Sequence, residues 1–287
     1  MKFVSCKLMG GLGNQLFQIF AVISYSMTHN CQFIFEYSKQ LHTGIVRYTF
    51  WDSLLKALLP YTSANDKNAL ISSYIRKFPV YNENGFHYTS LPENMNSEYI
   101  RLFGYFQSYK YFEQHWNDIK KMILLEEQQQ DVLAQYKYIM EREHVVSMHF
   151  RLGDYKTKQQ LHPIMPYEYY SKSLQHICDI VSSPMQVLYF CEKDDNSTVY
   201  SMIQSMQTSF PDIIFTKADD DIPDWEQMLL MSCCQSNIVA NSSFSWWGAY
   251  MSKPDNIVCY PLQWFGPAAH NNNTKDLFPE KWHKINI

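Results

Sequence analysis

An imidazole, a guanidinium and a carboxylate stand close together at His149, Arg151 and Asp154, with Gly153 between the last two. The apolar run Val145-Val146-Ser147-Met148 precedes them. Such a run predicts a buried strand, and a polar cluster at its end marks a strand opening into a ligand site. Arginine suits an anionic partner there, because its planar fork holds phosphate or carboxylate through two hydrogen bonds. The alternative is a purely structural Arg151–Asp154 pair beside a tight Gly153 turn. A second stretch, Asn241-Ser242-Ser243-Phe244-Ser245, brings an amide and three hydroxyls to the start of a helix. Hydroxyls and helix N-terminal N–H groups can cradle a phosphate without net charge. Here the alternative is capping by Ser243 or Ser245, with Trp246 and Trp247 in the core.

A third stretch, Gly10-Gly11-Leu12-Gly13-Asn14-Gln15, follows a short strand and leads into Leu16, Ile19, Phe20, Ile23 and Met27 at helical spacing. The glycines, Gly11 and Gly13 included, permit close backbone approach to a ligand. Asn14 and Gln15 offer amides to sugar hydroxyls, or cap the helix. The loop is neither the dinucleotide fingerprint nor a P-loop, since no G-x-G-x-x-G or G-K-[ST] is present. Asp194-Asp195 could accept hydrogen bonds from a base or ribose; Asp219 to Asp221 suit a solvated loop and helix cap. Neither cluster resembles a metal clamp, so no obligatory metal is expected. G-x-S-x-G and H-E-x-x-H are absent, which disfavours the common hydrolase schemes.

The elements that must position these groups are clearest after residue 145. Strands are expected at 145–149, 186–191, 213–216, 237–240 and, as the last one, 256–260. Helices are expected at 166–181, 197–208, 224–234 and 246–252. Such alternation implies a parallel sheet covered on both faces. In such sheets ligands bind beyond the C-terminal strand ends, where the polar breaks at 149–155, 191–195 and 241–245 fall. Before residue 140 the pattern is weaker. Strands are expected at 3–8 and 31–36, a helix at 51–59 ending at Pro60, helical structure at 109–116, and one helix at 119–141. The segment Arg101 to Ser108 stays ambiguous between core and an acceptor wall at Phe103, Tyr105 and Phe106.

The 287 residues suffice for one large or two small domains, and 46% apolar with 18% charged content is ordinary for a folded chain. A net charge of −4 disfavours bulk binding to nucleic acid. Seven scattered cysteines with no CxxC point to free thiols in a reducing compartment. No secretory leader and no apolar run of spanning length are evident, so a cytoplasmic location is expected, with peripheral membrane contact left open.

Three blocks carry a family resemblance. Gly10 to Gln18, then His149-Phe150-Arg151-Leu152-Gly153-Asp154-Tyr155, then Asp224 to Tyr250 occur in the order of the α-1,2-fucosyltransferases of glycosyltransferase family 11, which they closely resemble. One departure is Leu152, where many members carry a second arginine. The resemblance implies an α/β, GT-B-like fold of two Rossmann-like domains facing a cleft. The N-terminal acceptor-side domain would span 1–140 and the C-terminal nucleotide-sugar domain 141–287, with room for a C-terminal segment crossing back. It implies GDP-β-L-fucose as donor, no obligatory metal or other cofactor, and inversion at a galactose 2-hydroxyl. The acceptor would be a galactose-terminated or lipid-linked glycan. Arg151 would bind the diphosphate, with Asp154 and His149 shaping the nucleotide site. Asn241, Ser242, Ser243 and Phe244 would close on phosphate and nucleoside. Gly11 and Gly13 would bind the donor, and Asn14, also donor-binding and counted with Arg151 and Asp154 as catalytic, would face the sugar or acceptor. The base is unassigned; Glu36 and His42 are N-terminal candidates without a supporting pattern. Rival readings are transfer of another deoxysugar or to another hydroxyl, a non-catalytic glycan-binding protein, and a nicotinamide oxidoreductase, which the missing fingerprint disfavours.

Overall fold

The structure, a computed structural model, describes residues 2–43, 45–93 and 97–287. The chain divides into two compact units, Met1–Glu127 with Asn272–Pro279, and Gln128–Asn271 with Glu280–Ile287.

The first unit contains β1 (Phe3–Cys6), α1 (Leu12–Thr28), β2 (Gln32–Phe33), β3 (Gln40–Thr43), β4 (Ile45–Tyr48), α2 (Ala69–Ser72), β5 (Val80–Asn82), β6 (Tyr99–Phe103) and α3 (Trp116–Met122). Its main sheet is parallel throughout, in the order β2-β1-β6-β5. β3 and β4 form a separate antiparallel hairpin. From Leu12 to Ser26 every residue of α1 except Asn14 is buried, including the polar Gln15 and Gln18, whose amides donate to backbone carbonyls. β6 was ambiguous in sequence because Arg101 interrupts it. In the fold Arg101 leans toward Glu36, with Nη2 3.9 Å from Oε2, so the strand carries a charge without losing its place. The helix expected at 51–59 is a series of turns and a 3₁₀ segment, Lys56–Tyr61, that contains Pro60. Residues 109–116 form two 3₁₀ turns, Tyr109–Tyr111 and Glu113–His115, before α3. The single helix expected at 119–141 breaks into α3 and α4 (Leu125–Tyr136). Leu124 between them takes a left-handed φ of 55°, which stops helical hydrogen bonding.

The second unit continues with β7 (His144–His149), α5 (Tyr167–Ile180), β8 (Met185–Phe190), α6 (Asn196–Ser209), β9 (Ile214–Lys217), α7 (Asp224–Cys233), β10 (Ser236–Ile238), α8 (Ser243–Tyr250), β11 (Ile257–Pro261) and β12 (His283–Ile285). All six strands are parallel, in the order β12-β11-β10-β7-β8-β9. The five strands expected here form, and β11 is not the last. β12, three residues with no apolar run, pairs beside β11; neighbouring strand contacts rather than local pattern make it a strand. The core gathers Val146, Met148, Phe150, Tyr169, Tyr170, Leu174, Val187 and Ile203, each at most 2% exposed. No helix among the described residues is long and apolar enough to cross a membrane.

Candidate functional site

In the C-terminal sheet the chain runs from β7 outward to β8 and β9, then returns to place β10 on the other side of β7. This reversal opens a crevice beyond the carboxyl ends of β7 and β10, the usual ligand position in open parallel sheets. The register pairs Ile238 with Met148 and Phe190 with His149. Arg151 therefore leaves the sheet between the segment after β10 and the segment after β8. The structure thus brings 149–155, 191–195 and 241–245 to one edge.

Arg151 is held from three directions. Its Nη2 donates to Asp154 Oδ1 at 2.5 Å, its Nη1 donates to Glu192, and its guanidinium lies 5.1 Å from the centre of the Tyr155 ring. The structural pair considered from sequence therefore exists, and a second carboxylate joins it. Burial alone would lower the Arg151 pKa, but Glu192, Tyr155 and Asp154 together outweigh that and raise it, so the charge is permanent. Glu192 is half exposed, at 52%. It can leave the fork to an incoming anion at little cost, since exposed ion pairs contribute little.

His149 is sealed beneath this cluster. Burial, then the nearby Arg151 charge, lowers its pKa to about 3, so the ring is neutral and a poor proton acceptor. Its Nδ1 has no hydrogen-bond partner among the described residues. The ring lies 5.4 Å from that of Phe244, and the Tyr155 hydroxyl donates to the Asn241 carbonyl at 3.1 Å. These two contacts tie the 150s loop to the serine-rich turn.

The turn that carries Asp154 is built around Asp195. This carboxylate is fully buried and accepts from Gly153 N–H at 2.8 Å and from Lys156 Nζ at 2.5 Å. Asp195 was expected to meet a base or ribose; it holds the loop instead, because both its oxygens are engaged. Gly153 has φ +36°, and an added Cβ would lie 2.6 Å from Glu192 Oε2, so a larger residue would displace the carboxylate that faces Arg151. Of the second acidic cluster, Asp219 accepts from the Tyr138 hydroxyl, and Asp220 accepts from Asn196 and Lys217. The N-cap of α7 is Pro223, not one of these aspartates.

Ser242, rather than Ser243 or Ser245, is the N-cap of α8: its Oγ accepts from Phe244 N–H at 3.3 Å. Trp246 and Trp247 are fully buried, as the capping alternative required. Ser243 and Phe244 are partly exposed at the first turn, where helix N–H groups favour an anion. Asn241 is buried, and its Nδ2 donates to the Pro163 and Trp264 carbonyls at 2.8 and 3.2 Å. That amide braces neighbouring loops, which limits it to backbone contact with a ligand.

The N-terminal sheet repeats the pattern by itself. β1 lies between β2 and β6, so the Gly-rich loop and the turn after β6 emerge side by side. Gly10 has φ +77°, and an added Cβ would sit 2.4 Å from Asn14 Nδ2. Gly11 is the N-cap of α1 without a side-chain hydrogen bond, and Gly13 lies buried in the first turn. α1 begins at Leu12, so Asn14 and Gln15 belong to that turn. Gln15 is fully buried and donates to the Gly10 and Tyr48 carbonyls at 3.0 and 2.8 Å; it is a brace, not a ligand group. Asn14 Oδ1 accepts from Gln107 Nε2 at 2.8 Å. Gln107 follows a strained turn: Phe106 has φ 52° and is fully buried. The Glu83 carboxylate holds it, accepting from Tyr105 and Phe106 N–H at 2.8 and 3.0 Å. Burial raises the Glu83 pKa against the pull of those N–H groups. Tyr105 is 40% exposed and Phe103 is partly exposed, whereas Phe106 is fully buried and belongs to the core.

Glu36 is engaged by Arg76 and approached by Arg101, which gives it a structural use. His42 lies outside the residues whose side chains are described. Glu192, Tyr155 and Gln107 were not singled out as site residues in the sequence. Each reaches its partner through strand adjacency, and the only local trace was a polar residue after a strand. Among the described residues no three His, Cys, Asp or Glu side chains are grouped to hold a metal ion.

The chain belongs to glycosyltransferase family 11, whose family model, Glycosyl transferase family 11, matches residues 4–286. The chain has the α/β, GT-B-like fold. It is similar to the O-antigen biosynthesis glycosyltransferase WbnK of Escherichia coli, 29% identical over 63% of this chain. That match spans only 59% of the WbnK chain. It is 26% identical to an alpha-1,2-colitosyltransferase of Escherichia coli over 99% of both chains. It is 23% identical to a galactoside 2-alpha-L-fucosyltransferase of Caenorhabditis elegans, over 96% of this chain and 77% of that one. Among solved structures, POFUT1 in complex with GDP is similar in fold, with a TM-score of 0.54 at 10% identity, covering 90% of this chain and 97% of that one.

Proposed function

We propose that this chain transfers L-fucose from GDP-β-L-fucose, with inversion, to the 2-hydroxyl of a terminal galactoside. The supporting observation is that the loop bearing Arg151 at the end of β7 is tied to the turn that opens α8, by His149 5.4 Å from Phe244 and by the Tyr155 hydroxyl donating to the Asn241 carbonyl. A permanent cation and a helix N-terminus at one strand edge make an anion site of the kind a nucleoside diphosphate needs.

In this reading the acceptor oxygen attacks the anomeric carbon in line. The bond from that carbon to the β-phosphate oxygen breaks, GDP leaves with the electron pair, and the acceptor proton passes to a general base or to solvent water. Arg151 stabilises charge as it develops on the leaving diphosphate, joined by Ser242, Ser243 and the α8 N–H groups. Asp154 orients the guanidinium once Glu192 has yielded to the donor. Phe244 lines the nucleotide side, and the neutral His149 imidazole shapes it from beneath. The Asn241 backbone closes the turn. Gly11 and Gly13 serve the donor, and Asn14 the transferred sugar or the acceptor. The reading requires no metal, since the cation and N–H groups supply the compensating charge.

A second reading changes the donor sugar. The colitosyltransferase relative aligns over 99% of both chains, which supports a different deoxysugar on the same nucleotide site. A screen of nucleotide sugars and glycan acceptors, with product linkage read by NMR, tests both. GDP release with GDP-fucose and an α-1,2-linked product is expected. Turnover of another GDP-deoxysugar alone would select the second reading. Saturable galactoside binding without turnover of any nucleotide sugar would overturn both.

A further inference from the structure

Tyr155 links Arg151 to a second ring, that of His162. The Tyr155 and His162 rings are stacked, with centroids 4.7 Å apart and planes 19° from parallel. The Arg151 guanidinium lies 5.1 Å from the centre of the same tyrosine ring. Beyond His162 comes Phe265, its ring centre 5.8 Å away and its plane tilted by 50°. Three rings in succession therefore back the Arg151 cation.

The backbone clamps this stack. His162 N–H donates to the Lys158 carbonyl at 2.9 Å, and Gly266 N–H donates to the Leu161 carbonyl at 2.8 Å. Ala268 N–H donates to the Gln160 carbonyl at 2.8 Å. A Cβ added at Gly266 would overlap the Gln160 carbonyl, so the two loops meet backbone to backbone. Asn241 Nδ2 spans the Pro163 and Trp264 carbonyls, the chain neighbours of His162 and Phe265. The Asn241 carbonyl in turn accepts from the Tyr155 hydroxyl. Tyr155 is thus fixed twice, at its hydroxyl by Asn241 and across its face by His162.

The state of the imidazole suits packing. Burial lowers the His162 pKa; Asp154 pulls it back up, while Lys158 and Arg151 push it down further. The ring is therefore neutral at pH 7, and it gives Tyr155 a flat face without adding a positive charge beside Arg151. A guanidinium fork must point both N–H edges at a phosphate to hold it bidentately. An aromatic wall that cannot swing restricts the fork to that orientation before the ligand arrives, which lowers the ordering cost of binding.

We infer that His162 is a positioning residue for the donor diphosphate: its ring face holds Tyr155, and Tyr155 holds the Arg151 guanidinium in the orientation that receives the anion. The inference rests on the reading that Arg151 binds that diphosphate.

The test compares the full-length parent with His162→Ala, His162→Phe and Arg151→Ala. GDP binding is read by calorimetry, folding by thermal melts, and KM by steady-state kinetics with GDP-fucose and methyl β-galactoside. His162→Ala is expected to weaken GDP binding roughly three- to tenfold, the worth of one aromatic stack. The donor KM should rise with it while the acceptor KM stays at the parent value. His162→Phe keeps a ring face without ring nitrogens and should recover GDP affinity to within about twofold of the parent. His162→Leu fills the space without a flat ring and carries the expectation of the alanine variant if that one does not fold. Parent-like GDP binding in His162→Ala, with binding weakened in Arg151→Ala, would overturn the positioning role and leave the diphosphate reading standing. Parent-like GDP binding in Arg151→Ala would overturn both. Equal losses in the phenylalanine and alanine variants would assign the effect to a ring nitrogen and overturn the stacking role. Equal rises in donor and acceptor KM would mark a general loosening and overturn it too.

Discussion

Removing the Asp195 carboxylate should loosen the loop that holds Arg151 without touching the arginine itself. Asp195 accepts from Gly153 N–H at 2.8 Å with no exposure to water. In Asp195→Ala that N–H loses a charged acceptor, a cost of about 2.5 kcal/mol. Lys156, on the solvent side of the pair, adds little because it is well exposed. At about 2–4 °C per kcal/mol for a unit of this size, the melting temperature should fall by roughly 5–10 °C. Asp195→Asn keeps an oxygen facing Gly153 and should recover most of that loss. GDP affinity by calorimetry should follow the same order, parent above Asn above Ala, as Arg151 loses its fixed position. Calorimetry and thermal melts on the three proteins decide it. An alanine variant that melts with the parent, or one that melts lower yet binds GDP equally well, would refute the positioning role.

Four further outcomes are expected. Arg151→Ala should lower turnover with GDP-fucose roughly 10²–10³-fold, the usual loss for one stabilising donor at a developing charge; parent-like kinetics would remove the diphosphate role. Ser242→Ala should cost about 1 kcal/mol of stability through the lost cap, and with Ser243→Ala it should also weaken GDP binding; a change in stability alone would leave the turn a cap and no more. His149 is held neutral, with a folded pKa near 3 against 6.5 in the unfolded chain. Its contribution is intact above pH 6.5 and declines as pH falls toward 3, by about 1.4 kcal/mol per unit; His149→Gln should flatten acid unfolding, and parallel curves would contradict this. EDTA should leave the transfer rate unchanged, whereas a rate lost and restored by Mg²⁺ would show a required ion.

Much of the C-terminal unit is legible locally. Val145 to Met148 and Gln186 to Cys191 are apolar runs bounded by polar breaks, because strands buried on both faces have no solvent side to show. β12 and β6 are not, since His283–Ile285 is too short for a pattern and Arg101 interrupts Tyr99–Phe103. Leu124 looks like one more helical residue until its φ of 55° is seen.

By itself the sequence determined the family, the residue types at the strand ends and the alternation that makes a parallel sheet, all of which are short-range properties. Tertiary structure decided which of those residues face one another. Asp195 passed from ligand candidate to loop brace because β8 ends beside β7, and Glu192 reached Arg151 by the same adjacency. Ser242 became the cap in place of its neighbours, and Gln107 met Asn14 across 93 positions of chain. Such pairings depend on strand order and register, which are set by packing over the whole unit rather than by any residue's neighbours in sequence.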